Sequence, residues 1–510
     1  MTRVAVAAAT QAAADAGAEV ASRGGNALDA AIAAQLVAMS TELGVIAPGG
    51  SGFITIWPAG GRPVVVDAYA EMPGRGLPSD RFGGGGRRVA MGYGGGMETI
   101  VGWGSVATPG AFAGLTAAHE AFGAAPWEEL FAPAIATIEG GFPLSPACGE
   151  YLAYSHDVIF GWDPESRAVV SPGGVAITTG DCVRNQALAE TYRELAVEPR
   201  SLYEGDLAAR AVAACAAAGG ILTADDLRAY RPVWRSPAMV AVDDWTVATN
   251  PAPAVGGVTM VAMLLLMKAY ALEQWDEPAL RRFAQVQRAV MEYRKERLDH
   301  HDHRTEHVFE LLALARAGDA GALLSSPSTI HASAVDADGT AVAITLSAGY
   351  GSGGMIPGSG FWMNNSLGEV ELIAEGFHAL EPGTRLSSNM APTVARRPDG
   401  SVLAIGSPGA DRITTAIASV LINHLHLGMS LDEAIIHPRM HIELRADAPT
   451  MAFEPGLAVT PFGDVGVRPY DSTSMFFGGV TAAEWSPLGD VSGAADARRS
   501  GGVAIGGTGV

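Results

Sequence analysis

The rhythm of apolar and polar positions changes along this chain, and each change predicts an element. Val4–Ala8 is an unbroken apolar run that predicts a short strand. Gln11–Ala21 is rich in alanine and predicts a helix, stopped by Gly24 and Gly25. From Asn26, a good N-cap, "NALDAAIAAQLVAMSTEL" carries apolar residues around most of its circumference. A helix without a polar stripe has to be buried, here against a sheet. "SGFITIWPAGGRPVVVDAYAEMP" predicts two strands around a glycine-rich turn. The next stretch, "RFGGGGRRVAMGYGGGMETI", lacks the glycine spacing of a nucleotide loop between strand and helix, and predicts a mobile loop.

From Pro109 to about Ala317 the texture is helical, as in "GAFAGLTAAHEAFG", "PWEELFAPAIATIEGG" and "LRRFAQVQRAVMEYRKERL". Beyond Thr329 it turns to alternating runs with Gly/Pro turns, plus one helix near Thr414–His426. Two sheet-rich ends around a helical middle, without an internal repeat, suit one layered unit better than a string of domains.

The sharpest boundary is at "TIHASAVDADGTAVAITLSAG", a hairpin that begins directly after a Ser/Pro cluster. With Ala337-Asp338 as its turn, Val335 pairs with Thr340 and Thr329 falls opposite Leu346, beside Ser347. On this hairpin alone, Thr329 reads as an ordinary β-branched strand residue. Cleavage before it would change its chemistry. A new α-amino group, with a pKa of about 7.7–8.0, would sit on the same residue as the hydroxyl and serve as its general base. In the uncut chain the Thr329 hydroxyl would have to attack the Ser328 carbonyl, forming an ester that water opens. Two downstream turns of small residues, "LSSNMAPT" and "GSPGADR", have the backbone N–H groups an oxyanion needs, although plain turns read the same way.

Composition narrows the function. The chain has 510 residues, 48% of them hydrophobic, enough for a large core. With 54 acidic against 33 basic side chains the net charge is -21, which repels phosphate backbones and speaks against a nucleic-acid partner. Cys148, Cys182 and Cys215 show no CxxC spacing and suit a reducing compartment. Neither a secretory segment nor an apolar run of spanning length is present, so a cytoplasmic protein without a membrane partner is expected. "DHHDHRTEH", Asp299–His307, has the density of a metal site. Its place at the end of a helix predicts a solvated terminus instead, and no metal or cofactor is expected.

Together these motifs resemble the gamma-glutamyltranspeptidase family of N-terminal nucleophile (Ntn) hydrolases. "GGNALDAAIAA", "GGILTADDLRAY", "TIHASAVDADGTAVAITL", "GSGFWMNNSLGE", "LSSNMAPT", "GSPGADRI", "MFFGGV" and "GAADARRSGG" run in family order from about residue 4 to the C-terminus. The resemblance implies an α+β fold, a four-layered αββα sandwich, made as one precursor and cut between Ser328 and Thr329. Residues 1–328 would form a large subunit and 329–510 a small catalytic one, held together as a heterodimer whose further dimerisation stays open. Thr329 matches the nucleophile, and Ser347 stands where the family has a supporting threonine. Gly409 and Ala410 match the oxyanion-hole pair, and Ser387 and Ser388 the paired serines of the substrate pocket.

The departures are as informative. Tyr69 stands where the family usually carries an Arg that clamps the glutamyl α-carboxylate, and one neutral hydroxyl cannot reproduce that bidentate fork. Arg75 is nearby in sequence only. The family's Asn after the nucleophile strand falls at Gly349, and its ammonium-binding Asp at Glu369. The resemblance therefore implies an Ntn hydrolase or acyltransferase on a small amide or gamma-glutamyl-like substrate, with altered glutamyl recognition. The alternatives are an acylase or biosynthetic C–C hydrolase branch, and an uncleaved, inactive binding or scaffold homologue. Retention of Thr329, Ser387-Ser388 and "GSPG" favours an enzyme.

Overall fold

Two antiparallel sheets lie face to face in the structure, a computed structural model that describes residues 2–92, 96–318, 330–370, 372–444 and 448–507. The first has seven strands in the order Gly502–Gly506, Val4–Ala8, Ile330–Asp336, Ala341–Ser347, Ser51–Trp57, Val64–Ala68 and Val233–Arg235. The second has six: Val491–Ala495, Thr481–Trp485, Val402–Gly406, Thr393–Arg396, Trp245–Thr249 and Ala238–Val242. Between them Ala5, Ala341, Ala343, Ala404 and Ala483 pack with Val335 and Val402. Small side chains on both inner faces let the sheets approach closely and keep water out.

Helices cover both outer faces. Gln11–Ser22 and Ala27–Thr41 pack on the first sheet, Gly256–Lys268 and Arg412–Leu421 on the second. The layers therefore run α, β, β, α, as the resemblance implied. The Ala27–Thr41 helix starts with a capping box between Asn26 and Asp29, and every one of its residues is buried. One side meets the central strands and the other the Ala132–Gly140 helix, which explains its lack of a polar face. Its one mid-helix amide, Gln35, donates to the Ile344 carbonyl at 2.7 Å. Burial of each Leu, Ile or Val there contributes about 1.5–3 kcal/mol, far more than helix propensity can.

Four expectations need correction. The hairpin is shifted by one residue: Val335 pairs with Ala341, and Ile330, not Thr329, stands opposite Leu346. Asp336 causes the shift by accepting the Thr340 N–H on its side chain (2.9 Å), while Gly339 takes a left-handed φ of 90° to close a three-residue loop. The glycine-rich stretch is not simply a loop, because Arg87–Met91 and Met97–Val101 pair within it. Its glycines serve close packing: Gly104 donates to the Gly85 carbonyl at 2.8 Å, and a Cβ on Gly86 would strike Phe377. The helical middle also contributes three strands between Val233 and Thr249. Finally, Asp299–His307 is only partly solvated. Asp299 is buried against Arg294 at 2.8 Å, Arg304 is buried, and the His301 ring meets the Arg385 carbonyl at 3.0 Å.

Candidate active site

Register decides where chemistry can gather. Leu346, Gly52 and Ala68 lie abreast across three strands, and Ile330 lies abreast of Leu346 on the other side. Ser347, Tyr69 and the start of the Ile330–Asp336 strand are thereby brought to one end of the first sheet. On the second sheet Gly406 pairs with Thr481, and the His331 ring lies so close to Gly406 that no Cβ could stand there. The turn after Gly406 is thus held at the same end of the sandwich. Ser328 and Thr329 lie outside the described residues, which resume at Ile330.

Ser347 is buried and its Oγ accepts the Gly349 N–H at 3.0 Å. His331 bridges the hydroxyls of Thr345 and Ser333, each at 2.7 Å. Burial pushes its pKa down to about 3, which keeps the ring neutral. The predicted oxyanion pair follows Pro408. Gly409 has φ 126° and its Cα faces Gly478 so tightly that any side chain would collide with that backbone. Ala410 has φ 67°, a left-handed conformation that costs an alanine about 1–2 kcal/mol. Among the described residues neither amide donates a hydrogen bond, the condition for an oxyanion hole. Ser407 fastens the turn, donating to the Pro408 carbonyl at 2.6 Å and accepting from Gly479 N–H at 3.1 Å. Motifs far apart in the sequence, "GSPGADR" and "MFFGGV", thereby become neighbours.

Tyr69 stands at the end of the Val64–Ala68 strand. The Tyr69 ring stacks on Phe53 at 5.6 Å, within an apolar wall that includes Leu367, Leu386 and Met390. Leu386 N–H donates to the Ala70 carbonyl at 3.0 Å, which draws the predicted Ser387 and Ser388 alongside Tyr69. Arg75 does not replace the missing clamp: its guanidinium is held by Glu71 at 3.2 Å and Asp226 at 3.3 Å. A second cation, Arg385, lies beneath Tyr69 and escaped the sequence reading. It donates to the Tyr69 carbonyl, stands 3.3 Å from Glu71 and 3.7 Å from Asp67, and bonds the Tyr230 hydroxyl at 2.5 Å. It supports the backbone of Tyr69.

Glu369 and Gly349 explain each other. A Cβ on Gly349, whose φ is 62°, would lie 3.0 Å from the Glu369 carboxyl. The Asn365 Oδ1, closer still, and the Glu369 carboxyl together fill the space a side chain at 349 would need. Asn365 closes this corner, accepting the Tyr350 N–H at 2.6 Å and donating to Thr99 Oγ1 at 3.0 Å. Several buried polar atoms nearby meet no partner among the described residues: Ser387 Oγ, both polar atoms of the Asn389 amide, Ser366 Oγ and Thr108 Oγ1. Each such orphan costs about 1–3 kcal/mol in a finished core, a cost that a hydrogen-bonding partner would remove.

A small pocket at this end of the sandwich is lined by Ile330, His331, Pro408, Thr481, Arg499 and Glu42. Burial pushes the Glu42 carboxyl up to about 7, against the pull of Cys148, Ser145 and the Arg499 charge. Nothing in the sequence singled out Glu42, which closes an otherwise apolar helix.

The family model described as gamma-glutamyltranspeptidase matches residues 13–506. The chain belongs to the gamma-glutamyltranspeptidase family. Among curated members, a glutathione hydrolase proenzyme of Pseudomonas aeruginosa is 30% identical over 463 residues, covering 84% of this chain and 80% of the relative. Acylase ACY 1 proenzyme of a Pseudomonas species, strain V22, is 28% identical over 518 residues, covering 95% and 90%. The crystal structure of cephalosporin acylase from Bacillus halodurans superposes with a TM-score of 0.77 at 22% identity, over all of this chain and 96% of the other. That likeness establishes the Ntn-hydrolase fold. Membership of the gamma-glutamyltranspeptidase family places the chain among Ntn hydrolases and acyltransferases.

Proposed function

We infer that this protein is a self-processing Ntn hydrolase whose nucleophile is Thr329 and whose donor pocket no longer reads a glutamyl α-carboxylate. The observation that carries the reading is the pair of uncommitted amides at Gly409 and Ala410, held at the sheet end where the Ile330–Asp336 strand begins.

In maturation the Thr329 Oγ attacks the Ser328 carbonyl carbon, and the peptide C–N bond breaks as the nitrogen is protonated. Water then opens the resulting ester, leaving a free α-amine on Thr329. In turnover that amine takes the hydroxyl proton as Oγ attacks the donor's acyl carbon. The oxyanion is met by the N–H groups of Gly409 and Ala410, and the departing amine receives the proton. Water, or a second amine, then attacks the acyl ester and frees Thr329.

Three features favour a non-glutamyl acyl donor, hydrolysed as by an acylase. Tyr69 lacks a charged fork, Arg75 and Arg385 are each engaged by two carboxylates, and Asn365 and Glu369 occupy the space over Gly349. Losing one charge-assisted pair costs about 1.5–3 kcal/mol, or roughly ten- to a hundredfold in affinity. Gamma-glutamyl-p-nitroanilide should accordingly be a weak substrate.

The test begins on a denaturing gel. Cleavage after residue 328 of 510 gives a 182-residue fragment (510 − 328) that should read Thr-Ile-His-Ala-Ser from its N-terminus. Thr329→Ala should stay in one piece and show no turnover, whereas Thr329→Ser should keep some of both. Full activity in an uncut chain would end this reading.

A further inference from the structure

The segment that carries Ser387 and Ser388 contains a group for which the hydrolase mechanism has no use. Asn389 is 2% exposed, and neither its Oδ1 nor its Nδ2 has a partner among the described residues. Ser387 Oγ, two residues earlier, is buried and unpartnered in the same way. The segment is anchored on both flanks. On one, Leu386 N–H bonds the Ala70 carbonyl at 3.0 Å. On the other, the Ser388 carbonyl accepts the N–H groups of Val255 (2.9 Å) and Gly256 (3.0 Å), and Asn250 holds the Met390 carbonyl at 2.9 Å. Ser388 Oγ accepts the Met390 N–H at 3.2 Å. What remains is a fixed hydroxyl and a fixed carboxamide, offering donors and an acceptor.

Charge selects what they can bind. Arg385 is shared by Asp67 and Glu71, and Arg75 by Glu71 and Asp226. A donor ending in a carboxylate would meet these anions with their cations already engaged. One ending in a methyl group would leave the buried amide unsatisfied. A neutral end that both donates and accepts satisfies it.

We propose that Asn389 is a specificity-determining residue that, together with Ser387, reads a primary carboxamide at the far end of the acyl donor. The assignment rests on the Ntn-hydrolase reading and supplies its substrate class.

Three p-nitroanilides of one five-carbon acyl chain, ending in carboxamide, carboxylate or methyl, test it on the full protein. Wild-type kcat/KM should be highest for the carboxamide, by at least about tenfold over the methyl donor. Asn389→Ala should bring the carboxamide-to-methyl ratio close to one, while Asn389→Gln, which keeps the amide, should retain part of the preference. A structural role alone would lower all three rates together and leave the ratio unchanged, and that result overturns the assignment. So does a wild-type preference for the carboxylate or methyl donor, which no variant's folding can confound. Flat specificity in a cleaved, active enzyme defeats only the role of Asn389. An intact chain inactive on all three donors defeats the hydrolase reading with it.

Discussion

Ala410 is the residue at which backbone strain and the proposed chemistry meet. Its φ of 67° belongs to glycine, yet only its N–H is needed for an oxyanion. Ala410→Gly should therefore stabilise the fold by up to about 1 kcal/mol, strain relief being partly offset by unfolded-state entropy, with turnover kept. Denaturant unfolding beside a rate assay checks this, and a destabilised variant would show that the left-handed turn is unstrained. Glu42 makes the second residue-scale prediction. Its carboxyl rises from 4.5 unfolded to about 7 folded, because burial disfavours the anion. Its stabilising contribution is complete below pH 4.5 and is lost as pH rises through about 7, a loss of roughly 3 kcal/mol. Glu42→Gln should equal wild type near pH 4.5 and exceed it in stability at pH 8. His331 contributes with the opposite sign, over a window from 6.5 down to about 3, and cancels in this comparison because both proteins carry it. Equal unfolding midpoints for the two proteins at pH 8 would contradict the raised carboxyl.

At the scale of elements, the contact between His331 and Gly406 couples the strand that would follow the nucleophile to the turn that would hold the oxyanion. A methyl group on Gly406 cannot fit beside the imidazole unless the sheets part. Gly406→Ala should therefore destabilise the protein by about 1–3 kcal/mol, the usual cost of overpacking, and slow self-cleavage more than it slows binding of a finished donor. Thermal unfolding and the rate of fragment appearance measure the two effects. Cleavage at the wild-type rate would separate the strand from the turn functionally. The same scale explains the register error. Both registers keep alternation and bring Ser347 near the strand start, and only the Asp336 side chain and the left-handed Gly339 distinguish them.

For the whole molecule, the order of strands decides what cleavage can do. In the seven-stranded sheet Val4–Ala8 is inserted between Gly502–Gly506 and Ile330–Asp336. The six-stranded sheet likewise joins Trp245–Thr249 to Thr393–Arg396. A cut before Thr329 would leave two fragments that share both sheets. They should elute as one species on size exclusion, and separate only in denaturant, with activity lost. Free fragments in native buffer would contradict the interleaved topology.

Much of this architecture could be read from local pattern. The Val4–Ala8 strand, the capped helix after Asn26 and the paired strands around Ala59–Gly61 follow from periodicity and turn chemistry, which are short-range. The motifs "LSSNMAPT", "GSPGADR" and "MFFGGV" identify the family because chemistry needs those residue types in that order. Local pattern could not reveal that Arg75 is neutralised by Glu71 and Asp226, or that Arg385 lies under Tyr69. Those pairings span up to 318 positions, from Asp67 to Arg385, and depend on which strands become neighbours. Nor could it show that the Asn389 amide is left without a partner, since an unsatisfied group is defined by everything packed around it. The sequence by itself determined the elements and the reacting residue types. Tertiary packing decided which charges are spent and which polar groups remain for a substrate, because burial and pairing are properties of neighbours in space.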